Sequence, residues 1–229
     1  MRRASLSRRV ALISLLCAVA PPLWPQNKQP LPEYTKDGLR LKQQTRQRVL
    51  YVKPGATFSQ YDRVAILECY IELQKDWQRN YNSNEVDPSH RVTDADVTRI
   101  KNRLAAEFKK VFTADLQKGG YQVVDTAAPD VLVLRPALIN VQVAAPDLMT
   151  PDVGAMVVRS AGQMTLYLEL WDSTSNAILA RVMDSEADQH GFAQVASSVS
   201  NSAAADAVLN AWAEDLRKHL DAVRNKPSS

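Results

Sequence analysis

The sequence predicts an α+β fold: a mixed, mostly antiparallel twisted sheet with two long amphipathic helices packed on one face. Three observations carry that expectation. Val97, Ile100, Leu104, Phe108, Val111 and Leu116 recur at helical spacing, and so do Val208, Trp212, Leu216, Leu220 and Val223. Between these stripes, Met164, Leu166, Leu168 and Leu170 alternate with Thr165, Tyr167, Glu169 and Trp171, the period-two signature of a half-buried strand. The remaining apolar runs are short, β-branched and bounded by turn residues.

The elements follow in order. Val49 to Val52 reads as a short strand ended by Pro54-Gly55. Val64 to Leu73 reads as one strong strand. Residues 74–92 are polar, with Asn80, Asn82, Asn84 and Pro88, and read as a long loop. Thr93 is a helix cap, with Asp96 in capping-box position and Gly119-Gly120 as the stop. Tyr121 to Asp125 and Val131 to Val143 are extended, the latter interrupted by Pro136, which implies an edge or a bulge. A second loop, 144–160, precedes the hairpin, whose turn is Asp172 to Asn176. A final helix runs from about Ser202 to Arg224.

The N-terminus has a different composition. Arg2, Arg3, Arg8 and Arg9 precede Val10 to Ala20, an uncharged and mostly apolar run. A basic stretch followed by a short greasy one is the pattern of an export signal, and a bilayer-spanning helix needs about 20 residues. The expected organisation is therefore an export signal at 1–20 and a Pro-rich extended tether at 21–47. A single α+β domain at 48–224 and a disordered tail at 225–229 follow. The expected location is exported, periplasmic or associated with the outer membrane, with the N-terminus available as a membrane tether.

The net charge of +3 belongs to this leader. Without its four arginines, 24 of the 28 basic residues remain against 25 acidic ones, a net of −1. Such a body has no electrostatic footprint for nucleic acid. Of two cysteines, Cys17 lies in the leader, which leaves Cys69 alone in an apolar run and expected to be buried and inert.

Several segments resemble a known family. Tyr51 to Gly55 with Phe58 to Val64, Gly120 to Asp125 with Pro129 to Pro136, the hairpin Leu168 to Leu179, and Asp206 to Asp221 match in order. They are similar to a family of exported bacterial proteins and lipoproteins known as a domain of unknown function, number three-three-one-three. The resemblance covers roughly 48–223. It implies an envelope location and supplies no catalytic residues. Leu16 precedes Cys17, where a lipobox has a small residue.

No catalytic residue and no cofactor is expected. The sequence contains no H-E-x-x-H, C-x-x-C, G-x-S-x-G or phosphate-loop motif. One alternation stands out: Asp184, Glu186, Asp188 and His190 would share one face of an extended chain and could hold a divalent cation. A solvated strand end explains the same residues. Trp77 and Tyr81, with Tyr167 and Trp171 opposite the leucines, form a candidate partner surface. The tether or the 74–92 loop could equally cover them. Arg135 reads as a structural ion pair. The functional expectation is a non-catalytic binding or interaction domain whose partner is an envelope protein or other envelope component. The alternatives are a metal-assisted hydrolase using 184–190, and a small-ligand carrier with a pocket between sheet and helices.

Overall fold

A computed structural model describes residues 30–143, 164–185 and 198–224, with backbone alone at 198–204. The chain divides into Met1–Leu31 and Pro32–Ser229, and the sheet and helices belong to the second unit.

Eight strands and three α-helices are described: β1 Arg40–Gln44, β2 Arg48–Val52, β3 Arg63–Ile66, β4 Tyr70–Leu73, α1 Trp77–Asn84, α2 Asp94–Lys118, β5 Gln122–Val123, β6 Val131–Val141, β7 Thr165–Asp172, β8 Ile178–Ser185 and α3 Ser198–Arg224. They form one sheet in the order β1-β2-β8-β7-β6-β3-β5, with β4 also on β6. β1/β2, β2/β8, β8/β7 and β7/β6 are antiparallel, while β3 and β4 lie parallel to β6 and β5 lies parallel to β3. The sheet is therefore mixed rather than mostly antiparallel. The reason is α2. A long helix between β4 and β6 makes a crossover connection, and crossovers join parallel strands.

The expected strand Val64 to Leu73 is two strands, and Pro136 accounts for the break. β6 is central, not an edge. On one side it pairs with β7, with Pro136 opposite Leu168. On the other side β3 ends at Ile66 opposite Leu134, and β4 begins at Tyr70 opposite Ala137. Leu67 N donates to Leu134 O at 2.9 Å, so residues 134 and 136 turn their polar groups toward β3 and β4. The N–H that proline lacks thus falls where the neighbouring strand is interrupted, and no ladder bond is lost.

The polar stretch 74–92 contains α1 and a 3₁₀ turn at Pro88–His90. Its Asn-rich composition disfavours a helix, and tertiary contacts hold it. Trp77 is buried and its Nε1 donates to Val143 O at 2.7 Å. Asn82 both donates to Val92 O and accepts from Val92 N, at 2.9 and 2.8 Å. Within the stretch expected to be a tether, Arg40–Gln44 forms β1, and the fully buried Leu39 packs with Tyr51 and Ile178.

α2 begins with the complete capping box, Thr93 Oγ1 accepting from Asp96 N and Asp96 accepting from Thr93 N. It stops at Gly120, whose φ of 79° is the left-handed conformation. A Cβ on Gly119 would come within 2.9 Å of the Arg217 side chain, so the helices meet closely here. Arg217 Nε donates to the buried Asp115 at 2.9 Å. Arg224 donates to Gly119 O at 2.6 Å and lies 4.2 Å from the Tyr121 ring centroid. α2 and α3 share one apolar cluster with the leucines of β6 and β7.

Candidate functional site

The register places side chains across β7, β8 and β2 in three rows on the leucine face. Leu166, Asp184 and Arg48 form the first, Leu168, Val182 and Leu50 the second, and Leu170, Ala180 and Val52 the third. α3 runs over these rows with Trp212, Asp215, Leu216, His219, Leu220 and Val223. Sheet and helix do not close on each other. A cavity of about 220 Å³ lies between them, with Phe58 and Gln43 also on its wall.

The charged groups of this cavity lie in and above the first row, and Gln43 of β1 adds an amide beside Leu50 of the second. Arg48 bridges two carboxylates, with Asp184 Oδ2 at 2.5 Å and Asp215 Oδ2 at 2.8 Å. Burial alone would pull the Arg48 guanidinium down, and Asp184 and Asp215 together outweigh it and hold the group charged. His219 Nδ1 lies 2.7 Å from Asp215 O, on the solvent side. The second and third rows are wholly apolar. Trp212 is 4% exposed, and its indole Nε1 has no hydrogen-bond partner among the described residues. Buried donors are almost always paired; this one is enclosed in the packing and does not open onto the cavity.

The opposite face is built differently. Glu169 is buried there and accepts from Tyr167 Oη at 2.7 Å, Trp171 Nε1 at 3.2 Å and Arg181 Nε at 3.0 Å. Arg135 lies 3.9 Å away as an ion pair. Arg181 also holds Asp37 at 2.5 Å, which straps residues 32–39 to the sheet. The Arg181 bonds lower the Asp37 carboxyl to about 2. Burial, then the Glu169 carboxylate, pushes the Tyr167 hydroxyl up to about 12. The next row reads Tyr70, Ala137, Tyr167, Met183, Val49, with Tyr70 and Met183 exposed.

The residues singled out from the sequence are therefore dispersed. Of the alternating acidic group, Asp184 is committed to Arg48, while Glu186, Asp188 and His190 lie outside the described residues. Among the described residues no cluster of three or more His, Cys, Asp or Glu is placed to hold a metal ion. Trp77 is packed inside, with the Tyr81 ring tilted against it at 5.8 Å between centroids, whereas Tyr167 and Trp171 sit half-buried on the other side of the sheet around Glu169. Cys69 is buried, and burial pushes its thiol up to about 12. Sequence reasoning placed Trp212, Leu216 and Leu220 on a core stripe. It had no signal that this stripe stands off from the sheet.

Fold and site together define an α+β domain with an apolar cavity between its sheet and its last helix. No described helix is long and apolar enough to cross a membrane. The chain belongs to the family described as protein of unknown function DUF3313, matched over residues 31–216. No curated protein matches it. Among solved structures, it is similar to a PelC dodecamer from Paraburkholderia phytofirmans, with 12% identity over 72% of this chain and 96% of that one and a TM-score of 0.38. It is also similar to a DUF4136 family protein from Bacteroides thetaiotaomicron, with 12% identity, 80% and 97% coverage, and a TM-score of 0.38.

Proposed function

We propose that this is an exported bacterial envelope protein whose domain acts by binding, as the carrier of a small apolar ligand between the sheet and α3. The observation that carries the reading is the cavity lined by Leu50, Val52, Leu168, Leu170, Leu216 and Leu220. Cores are ordinarily filled to crystal-like density, and ligand sites are concave and mostly apolar with a few polar groups. The reading takes α2 and α3 as packed together on the leucine face. The leader pattern of residues 1–20 supports export.

A neutral environment-sensitive dye, N-phenylnaphthylamine, tests the site on the purified chain. Saturable binding to one site is expected, with loss in Leu168→Trp, whose larger ring fills the cavity. Equal dye binding by that variant would place the dye elsewhere and remove the reading. Mass spectrometry of the native N-terminus tests export: a shortened or lipidated chain is expected, and an intact cytosolic one refutes it.

The envelope-partner reading has one observation in its favour, the exposed Tyr70 and Met183 in one row of the open face. Photo-crosslinkers at these positions in whole cells should trap a single envelope protein. No adduct at either position removes that reading.

A further inference from the structure

Charge on the folded body is unevenly placed. Residues 38–61 contain Arg40, Lys42, Arg46, Arg48 and Lys53 and no aspartate or glutamate, although the body as a whole is close to neutral. These cations lie on β1, in the β1–β2 turn, on β2 and just past its end, and β1 is the outermost strand at that side of the sheet.

The acids that meet this edge from other elements are already engaged. Glu33 pairs with Arg40, Asp37 with Arg181, and Asp184 and Asp215 with Arg48. Lys36, Lys42, Arg46 and Lys53 are exposed and have no ion pair among the described residues.

A charged edge strand resists pairing with another chain, and that role accounts for Lys42. It gives no reason for Lys36 in the strap, Arg46 in the turn or Lys53 beyond the end of β2. Tyr34 adds a different signal. Its ring is 51% exposed beside these cations, with the Arg40 guanidinium 5.9 Å from its centroid. An exposed phenol among uncommitted cations suits the headgroup layer of a bilayer, where tyrosine concentrates.

Position agrees with this chemistry. On the export reading above, residues 21–31 alone separate the leader from the strap and β1. A chain attached through its leader therefore keeps this edge within roughly 40 Å of the membrane. β1 also supplies Gln43 to the cavity wall, so docking here sets the cavity beside the bilayer.

We infer that the β1–β2 edge, with Lys36, Lys42, Arg46, Lys53 and Tyr34, is a docking surface for a bilayer that carries anionic phospholipid. The contact is peripheral: the four cations face lipid phosphates, and the Tyr34 ring enters the headgroup layer.

The test is cosedimentation of the purified full chain with phosphatidylcholine vesicles, with and without phosphatidylglycerol. The leader is common to every variant, so differences between variants report the body. Stronger binding to the anionic vesicles is expected, declining as salt is added. Lys42→Gln with Lys53→Gln should weaken it by about tenfold or more, since each cation near an anionic leaflet is worth roughly fivefold. Lys75→Gln with Lys109→Gln removes the same charge from exposed positions after β4 and on α2, and should leave binding unchanged. Hydrogen exchange at residues 42–46 should slow on the anionic vesicles only. Equal losses in the two pairs, or no loss in either, show that net charge or the leader does the binding and overturn the inference. Unchanged exchange at 42–46 overturns it too. So does self-association of the Lys42→Gln, Lys53→Gln chain with vesicle binding intact, which assigns the edge to a second copy. Each of these results leaves the carrier reading standing, because dye binding needs no vesicle.

Discussion

The two long helices cover the sheet with opposite packing quality. α2 presents Leu104, Phe108, Phe112 and Leu116, all fully buried, and the two phenylalanine rings stack at 3.9 Å. It lies against the side of the sheet that holds β4 and β5. α3 buries Leu209 and Ala213 fully, but its Val208, Trp212, Leu216 and Leu220 stay slightly accessible, as Ile100 and Val111 of α2 do, and it leaves a cavity over β7, β8 and β2. Both stripes have the same spacing and similar hydrophobicity. The difference lies in what faces them and in how the helices are anchored. Arg217 and Arg224 fasten α3 to the end of α2 through Asp115 and Gly119, and Arg48 props Asp215 from the sheet. These polar fixtures, all in the C-terminal half of α3, hold the helix over the same stretch that lines the cavity. A protein that needs a packed body and a receptive site can divide the two between helices in this way.

The largest expected effect tests the packed side. Phe108→Ala should destabilise the fold by about 3–5 kcal/mol, the range for truncating a buried aromatic, read from urea unfolding. Leu216→Ala, on the cavity wall, should cost about 2 kcal/mol, the low end for a buried leucine, because part of its surface already lacks neighbours. Equal penalties for the two substitutions would break the comparison. Thr93→Ala removes the α2 cap and should cost about 1 kcal/mol in the same assay, a local loss that leaves the cavity intact. Val182→Ile adds one methyl group toward the cavity and should stabilise by about 0.5 kcal/mol, with weaker dye binding. Destabilisation there would mean that the second row is already full.

The smallest effect concerns the opposite face and serves as a control. Asp37 titrates near 3.8 when free and at about 2 here, held down by Arg181. A lowered carboxylate pKa stabilises above the unfolded value and loses that contribution as pH falls through the folded one. Between pH 4 and pH 2 the 32–39 strap should therefore loosen. Hydrogen exchange reads it at two amides: Leu39 N, bonded to Thr35 Oγ1, and Leu41 N, bonded to Glu33 O. Unchanged protection of both at pH 2 would show that Asp37 is not the fastener.

How much of this was legible depended on how local the signal was. The Thr93 capping box, the Gly120 stop and the alternating hairpin were readable because each rests on contacts within a few residues or on one strand's period. The break at 67–69 was not, since Leu67, Glu68 and Cys69 include no turn residue and a single glutamate also recurs inside β4 at Glu72. The interruption is set by Pro136, nearly seventy residues away in sequence. α1 was unreadable because Asn80, Asn82 and Asn84 argue against a helix, and only burial of Trp77 and the Asn82 bonds to Val92 make one. Glu169 alternated outward with Tyr167 and Trp171. Its pairing with Arg181 needed the hairpin register.

The sequence by itself determined the α+β class, both long helices, the β7/β8 hairpin and the apolar character of one face, because periodicity and capping are properties of neighbouring residues. Tertiary structure decided the parallel half of the sheet, the position of β1, the commitment of Asp184 to Arg48 and the gap beneath α3. The physical reason is that a stripe of leucines specifies which way a helix faces, while the distance at which it comes to rest depends on every element that holds it.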